Sequence, residues 1–243
     1  MANIFVFALN NEADVTDTKE KKSSLGQKVM AMLTDENAQS LAKDYSELAV
    51  DALIENEAIK SIPVVGTIVS LAKAGHSVHV ALWEKKVLQF LSSADGASQN
   101  EWSEFAEKLI ETEGGTDRAG EVLLHHLERL DDTEKARLSG MLYAAAATGK
   151  ITIEELKRFC MILDRVYLPD LRDHAAYSSF EGNTHPGREQ LVTLGILTFE
   201  IAQSGDRQPD VYVNSLPILG NPTRRYNLTP VGKKMLKYIG FLD

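Results

Sequence analysis

The sequence predicts a mainly α protein: a multi-helix bundle over residues 25–172, then a small winged-helix-like α+β unit over residues 173–243. Residues 1–24 read as an N-terminal segment and flexible linker, because 11–24, NEADVTDTKEKKSS, are polar, charged and without period. Two observations predict the bundle. Apolar residues between Leu25 and Leu168 recur at three- and four-residue steps, the spacing of one helix face. Helix-start spacings recur there too: Ser98 with Glu101, Asp131 with Glu134, and Thr152 with Glu155. In each, a side-chain oxygen takes an orphan amide proton while the acid reaches back. A third observation, the change of texture after about Asp173 to short β-branched runs between turn residues, predicts the second unit.

In chain order, Leu41, Tyr45, Leu48, Ala49 and Ala52 predict an amphipathic helix that ends before Pro63. Ile62–Leu82 is read as a central core helix. Further apolar faces follow: Trp102, Phe105, Leu109 and Ile110; Val122, Leu123, Leu127 and Leu130; Leu138, Met141, Leu142 and Ala145; Leu156, Phe159, Cys160 and Leu163. Gly149 suits the left-handed position that closes a helix, and Pro169 is expected to stop the last helix of the bundle. Short links favour antiparallel neighbours. Beyond them, HPGREQLVTLGIL reads as a helix ending near Gly195. TFEIAQSG and DVYVNSLPIL read as a β-hairpin across the turn GDRQP, GNPTRRYN as a tight loop, and LTPVGKKMLKYIGFL as a closing helix opened by Thr229 and Pro230.

The charge is unevenly placed. Residues 1–170 hold 18 Lys and Arg against 28 Asp and Glu, whereas 171–243 hold 8 against 7. An acidic body argues against broad electrostatic binding of nucleic acid or anionic lipid, so such contact needs a local patch. Cys160 is the only cysteine, which excludes an intramolecular disulfide and argues against a thiolate zinc site. Its apolar neighbours predict a buried thiol. MANIFVFALNNEAD has no basic start and no small-residue cleavage site, so no secretory signal is expected and the expected location is cytoplasmic.

The apolar stretch SIPVVGTIVSLAKAGHSVHVAL raises the membrane question. As one helix, Ile62–Leu82 would run roughly 31 Å, long enough to span. Its nine Ile, Val and Leu residues offer roughly −3 to −5 kcal/mol on insertion, while Lys73 near the centre alone costs about +2.5 to +3.5 kcal/mol. His76, His79, Ser70 and Ser77 add to the cost, so interior packing is expected. Ser70, Lys73, Ser77 and Glu84 form a thin polar strip, too narrow for a membrane-surface helix. Gly66, Ser70 and Ala74 form a ladder of small residues that would let another helix approach closely.

No catalytic motif is present: GxGxxG, GxxxxGK[ST], HExxH and GxSxG are all missing. AAAATGKITIEE has the glycine and terminal glutamate of a calcium loop, but Ala144, Ala146 and Thr148 stand where oxygen ligands are needed. His76 and His79 lack a nearby carboxylate or thiol and read as core histidines. No catalytic residue, metal or cofactor is expected. The paired acids Asp131–Asp132 and Glu154–Glu155 suit helix first turns.

IPVVGTIVSLAKAG, LWEKKVLQFL, GKITIEELKRFCMILDRVYLPDL, LVTLGIL and YNLTPVGKKML together resemble a widespread family of uncharacterised bacterial helical proteins with a winged-helix-like C-terminal unit, over about residues 45–240. TGKITIEEL is loosely similar to tellurite-resistance-type helical domains. The resemblance implies a bacterial stress-response or phage-defence setting and carries over no catalytic residue. The function expected is non-catalytic: a bacterial interaction protein that binds a macromolecular partner, a protein first. Binding is expected through the tail, at Arg188, Gln190 and Thr193 on a recognition-type helix, Arg224 and Arg225 at a wing tip, and Lys233, Lys234 and Lys237 on the last helix. DNA is the alternative partner, and a membrane met by 62–82 the third.

Overall fold

The computed structural model describes residues 23–45, 57–71, 78–173, 177, 186–202, 212–213, 216–217 and 223–242. It is mainly helical, and the chain divides into two compact units, 1–164 and 165–243.

The first unit is built from helices that begin where side chains satisfy orphan amides. Ser24 opens α1 (Leu25–Leu33): its hydroxyl accepts from the Gln27 amide at 3.1 Å, and Gln27 reaches back. α1 buries Leu25, Val29, Met30, Met32 and Leu33. It crosses α7 (Thr116–Arg129) backbone to backbone: a Cβ added at Gly120 would lie 2.1 Å from the Gly26 carbonyl oxygen, and one at Gly26 2.5 Å from that of Asp117. Ser24 also donates to the Asp117 carboxylate. α2 (Glu36–Tyr45) buries Ala38 and Ala42. Of the face predicted around it, Leu41 and Tyr45 are half-buried, and Leu48, Ala49 and Ala52 lie outside the described residues.

The single helix expected over Ile62–Leu82 falls partly outside the described residues. α3 (Glu57–Lys60) and α4 (Pro63–Leu71) precede α5 (Val78–Ser93), and residues 72–77 lie outside the described residues. Ile62, Val64, Val65, Val80 and Ala81 are nonetheless buried. Among the described residues, no helix is long and apolar enough to cross a membrane. Gly66 does admit a close approach, but to the Lys60 carbonyl of the preceding turn, where an added Cβ would sit 2.4 Å away. Of the predicted polar strip, Glu84 is 1% exposed, and the side chains of Ser70, Lys73 and Ser77 lie outside the described residues.

α5 carries the centre of the core, with Val87, Leu88, Phe90 and Leu91 fully buried. It packs on α8 (Thr133–Ala147) at Gly140, where a Cβ would meet the Phe90 carbonyl at 2.1 Å, and the Ser93 hydroxyl donates to the Arg137 carbonyl at 2.7 Å. α6 (Gln99–Glu113) starts with the predicted Ser98–Glu101 capping box. Trp102, Phe105, Tyr143 and Phe90 form an edge-to-face series with centroids 5.1–6.0 Å apart. α8 begins one residue later than its spacing suggested. Asp132 accepts from the Glu134 amide at 2.8 Å, while Asp131 pairs with the Lys135 ammonium at 2.7 Å. Gly149, at φ +70°, closes α8, and the Thr152–Glu155 box opens α9 (Ile153–Arg165) as expected.

In the second unit, Pro169 starts a helix instead of stopping one: it lies in the first turn of α10 (Leu168–Arg172), where a missing amide proton costs nothing. Gln190 holds this region to α11 (Arg188–Thr193), accepting from the Tyr167 amide at 3.2 Å and donating to the Arg165 carbonyl at 3.0 Å. These bonds lie within the second compact unit, which begins at Arg165. Gly195, at φ +76°, ends the α11 turn. The strand pairing also differs from expectation. β1 (Leu197–Ala202) pairs antiparallel with β4 (Thr223–Leu228), while β2 (Tyr212–Val213) pairs with β3 (Leu216–Pro217). Pro217 has no amide proton to donate to a longer ladder. Thr229 caps α12 (Pro230–Tyr238), accepting from the Gly232 amide at 2.9 Å, with Pro230 in the first turn as predicted. Gly232 lies against Ile196, where a Cβ would be 2.3 Å from the carbonyl oxygen. Val166, Leu168, Leu171, Leu191, Ile196, Leu197, Met235, Leu236 and Ile239 are the unit's buried apolar residues among those described.

Candidate macromolecule-binding surface

The register of β1 and β4 sorts their side chains. Leu197, Phe199 and Ile201 share one face with Leu228, Tyr226 and Arg224, while Glu200 and Arg225 oppose each other on the other. On the first face the outward end is Ile201, 61% exposed, directly across from Arg224. The Arg224 guanidinium lies 4.8 Å from the Phe199 ring centre and pairs with Glu189 of α11 at 2.5 Å. Glu189 also accepts from the Tyr226 hydroxyl at 3.0 Å. Arg188 sits over the other aromatic, 5.0 Å from the Tyr226 ring centre. Two arginines, two rings and one carboxylate thus lock helix to sheet, and the outward arginine is held by stacking as much as by charge.

Each residue predicted for binding now has a place. Arg188 does not face outward. It is 3% exposed, with its guanidinium over the Tyr226 ring. Gln190 is exposed but spends both ends of its amide on the backbone at 165 and 167. Thr193 is exposed and donates to the Glu189 carbonyl at 2.9 Å. Arg224 and Arg225 are not at a loop tip but inside strand β4, with 218–222 outside the described residues. Lys233 and Lys237 are exposed one turn apart on α12, and Lys234 is half-buried between them. The structure therefore joins Arg224 to Arg188 and Glu189 in one cluster and assigns Lys233 and Lys237 to a separate helix flank. Phe199, Tyr226 and Glu189 escaped sequence reading. The alternation in LTFEI and TRRYNL was a signal for them, but only the register shows which ring meets which arginine.

Among its polar groups, the first unit buries Glu84, Lys135 and Ser139. The His126 Nε2 and Ser139 hydroxyl are 2.8 Å apart, and the Ser139 hydroxyl donates to the Lys135 carbonyl at 2.9 Å. With that proton committed, the serine can only accept from His126, so the pair braces α7 against α8. Ser139 is fully buried, and burial pushes the His126 imidazole down to about 4 despite the opposing charge of Asp164. Asp164 pairs with Arg129. This is the opposite of an activated hydroxyl, which must give its proton to the imidazole and face a substrate. Cys160 is buried as expected, and burial raises its thiol to about 12. Burial likewise raises the Tyr143 hydroxyl well above its usual range, with Cys160 and Glu113 adding to the effect. Lys157 pairs with Glu113 at 2.5 Å. Among the described residues, no group of three or more His, Cys, Asp or Glu side chains is placed to hold a metal ion. His76 and the side chain of His79 lie outside the described residues.

No family model, no curated protein and no solved structure matches this chain.

Proposed function

We propose that the protein is a non-catalytic interaction protein whose second unit, read as winged-helix-like, docks a partner protein. The observation that carries this reading is the outward end of the β1–β4 face. There Ile201 lies exposed beside an Arg224 already immobilised on Phe199 and by Glu189. A prestacked arginine next to an exposed aliphatic side chain suits a protein interface, where rigid arginine and apolar anchors lose little entropy on binding. The charge there is locally balanced by Glu189, which favours a protein over a polyanion. Tyr167, 62% exposed at the start of α10, adds a further amphipathic anchor. The setting implied by the resemblance is a bacterial stress response or phage defence.

The test compares tagged full-length wild type with an Ile201→Asp/Arg224→Ala variant for in-cell crosslinking and recovery of partners. The reading expects at least one partner held by wild type and lost by the variant, with circular dichroism unchanged. Identical partner sets overturn it.

The exposed Lys233 and Lys237, with Arg225, support DNA as the second reading. It requires a duplex mobility shift at low salt that weakens when both lysines are replaced by alanine. Unshifted DNA removes it.

A further inference from the structure

An antiparallel strand turns the backbone groups of alternate residues to opposite sides, so a strand with one neighbour leaves every second N–H and C=O unspent. The Thr229 amide donates to the Ile196 carbonyl at 3.0 Å, in step with the pairing of Leu197 with Leu228. Alternation then directs the backbone groups of Thr198 and Glu200 toward β4 and those of Phe199 and Ile201 away from it. The sheet has two strands, β1 and β4, and among the described residues no bond reaches that outer row. The edge is accessible: Thr198, Glu200 and Ile201 are exposed. Its two faces differ in chemistry. Phe199 and Ile201 make one face apolar, while Glu200 puts an acid on the other, one strand nearer the edge than Arg225.

We propose that the outer edge of β1 takes up an extended segment of the partner protein as an added antiparallel strand, apolar at alternate positions and with a lysine or arginine beside Glu200. The added strand rests on the docking role proposed for this face and specifies the form of the partner. Main-chain bonds to Phe199 and Ile201 hold the segment, and its side chains decide which segment is held. Its apolar side chains lie beside Phe199 and Ile201. Those between them lie beside Thr198 and Glu200, where a cation is favoured and a carboxylate repelled. A second copy of the chain fits less well, because pairing β1 with β1 about Glu200 sets two carboxylates opposite each other.

The probe is an alternating Lys-Val heptapeptide, capped at both ends, titrated to millimolar concentration into the full chain and followed by its amide resonances. Wild type should bind the peptide with the largest shifts at 198–202, and no binding overturns the proposal. Glu200→Lys, an exposed change, should move the ratio of affinities roughly tenfold away from this peptide and toward a Glu-Val counterpart. An unchanged ratio overturns it. N-methylating one alternate set of the peptide's amides should abolish binding and N-methylating the other should spare it, because only one set faces β1. Equal effects overturn the added strand, and they need no variant of the protein. Wild type that self-associates and ignores the peptide gives the edge to a second copy, which also overturns it. Failure here is distinct from failure of the docking role: if no peptide binds but the Ile201→Asp/Arg224→Ala variant still loses its partners, the added strand alone is wrong.

Discussion

The two units treat polar side chains in opposite ways. In the first, Glu84, Lys135 and Ser139 are drawn to 2% exposure or less, and His126 is half-buried beside Ser139. In the second, the carboxylate, guanidinium and phenol of Glu189, Arg224 and Tyr226 meet at the surface and leave Ile201 and Tyr167 outside. The same chemistry of paired charge and ring therefore has two uses. Inside a helix bundle it fixes which helices touch, and every perturbation is felt as stability. On a strand–helix frame it fixes the pose of side chains that can meet another molecule, and loss of an exposed pair is expected to cost little stability.

This contrast can be broken in several ways. The largest effect should come from the helix crossing at Gly140. Gly140→Ala puts a methyl 2.1 Å from the Phe90 carbonyl, a backbone atom that cannot swing aside. A loss of roughly 1–3 kcal/mol or more is expected in urea unfolding. A neutral outcome would mean that α5 and α8 do not cross as described. Next comes the half-buried imidazole of His126. His126 is lowered in the folded state from 6.5 to about 4, so its stability contribution is present above 6.5 and is lost as pH falls toward 4. His126→Gln should lack that acid loss when compared with wild type at each pH. Glu84 pulls the other way over much of this window, so the wild-type curve should be flatter between pH 4.5 and 6.5 than that of His126→Gln. A smaller effect, about 1 kcal/mol, is expected for Ser98→Ala, which deletes the cap of α6. The smallest belongs to the second unit. Arg224→Ala should change stability by no more than about 0.5 kcal/mol, as exposed ion pairs do, while weakening partner recovery. A large stability loss there would make the arginine a fold residue and erase the contrast.

Much of the bundle was legible because its signals are local. Ser98 with Glu101, Thr152 with Glu155, Gly149 and Thr229–Pro230 each act within one turn, and each did what its spacing implied. The errors lie where a distant partner decides. Glu84 shares a helical arc with polar residues, yet neighbouring helices bury it. Pro169 can end a helix or begin one, and the choice went with the Gln190 bonds from α11. β1 could pair with either following β-like segment, and local alternation does not rank them. The candidate surface was half visible for the same reason. Arg224 was picked out by charge, but its stack on Phe199 exists only in the β1–β4 register, and Arg188 was misplaced because its cover, Tyr226, is far along the chain.

The division of labour between the units is tested most directly by hydrogen exchange of the full-length protein with and without a partner recovered by crosslinking. The account predicts new protection at 197–202 and 223–228, with the bundle helices unchanged. Protection confined to 57–93, with both strands unaffected, would contradict it and move the binding role to the apolar block of the first unit.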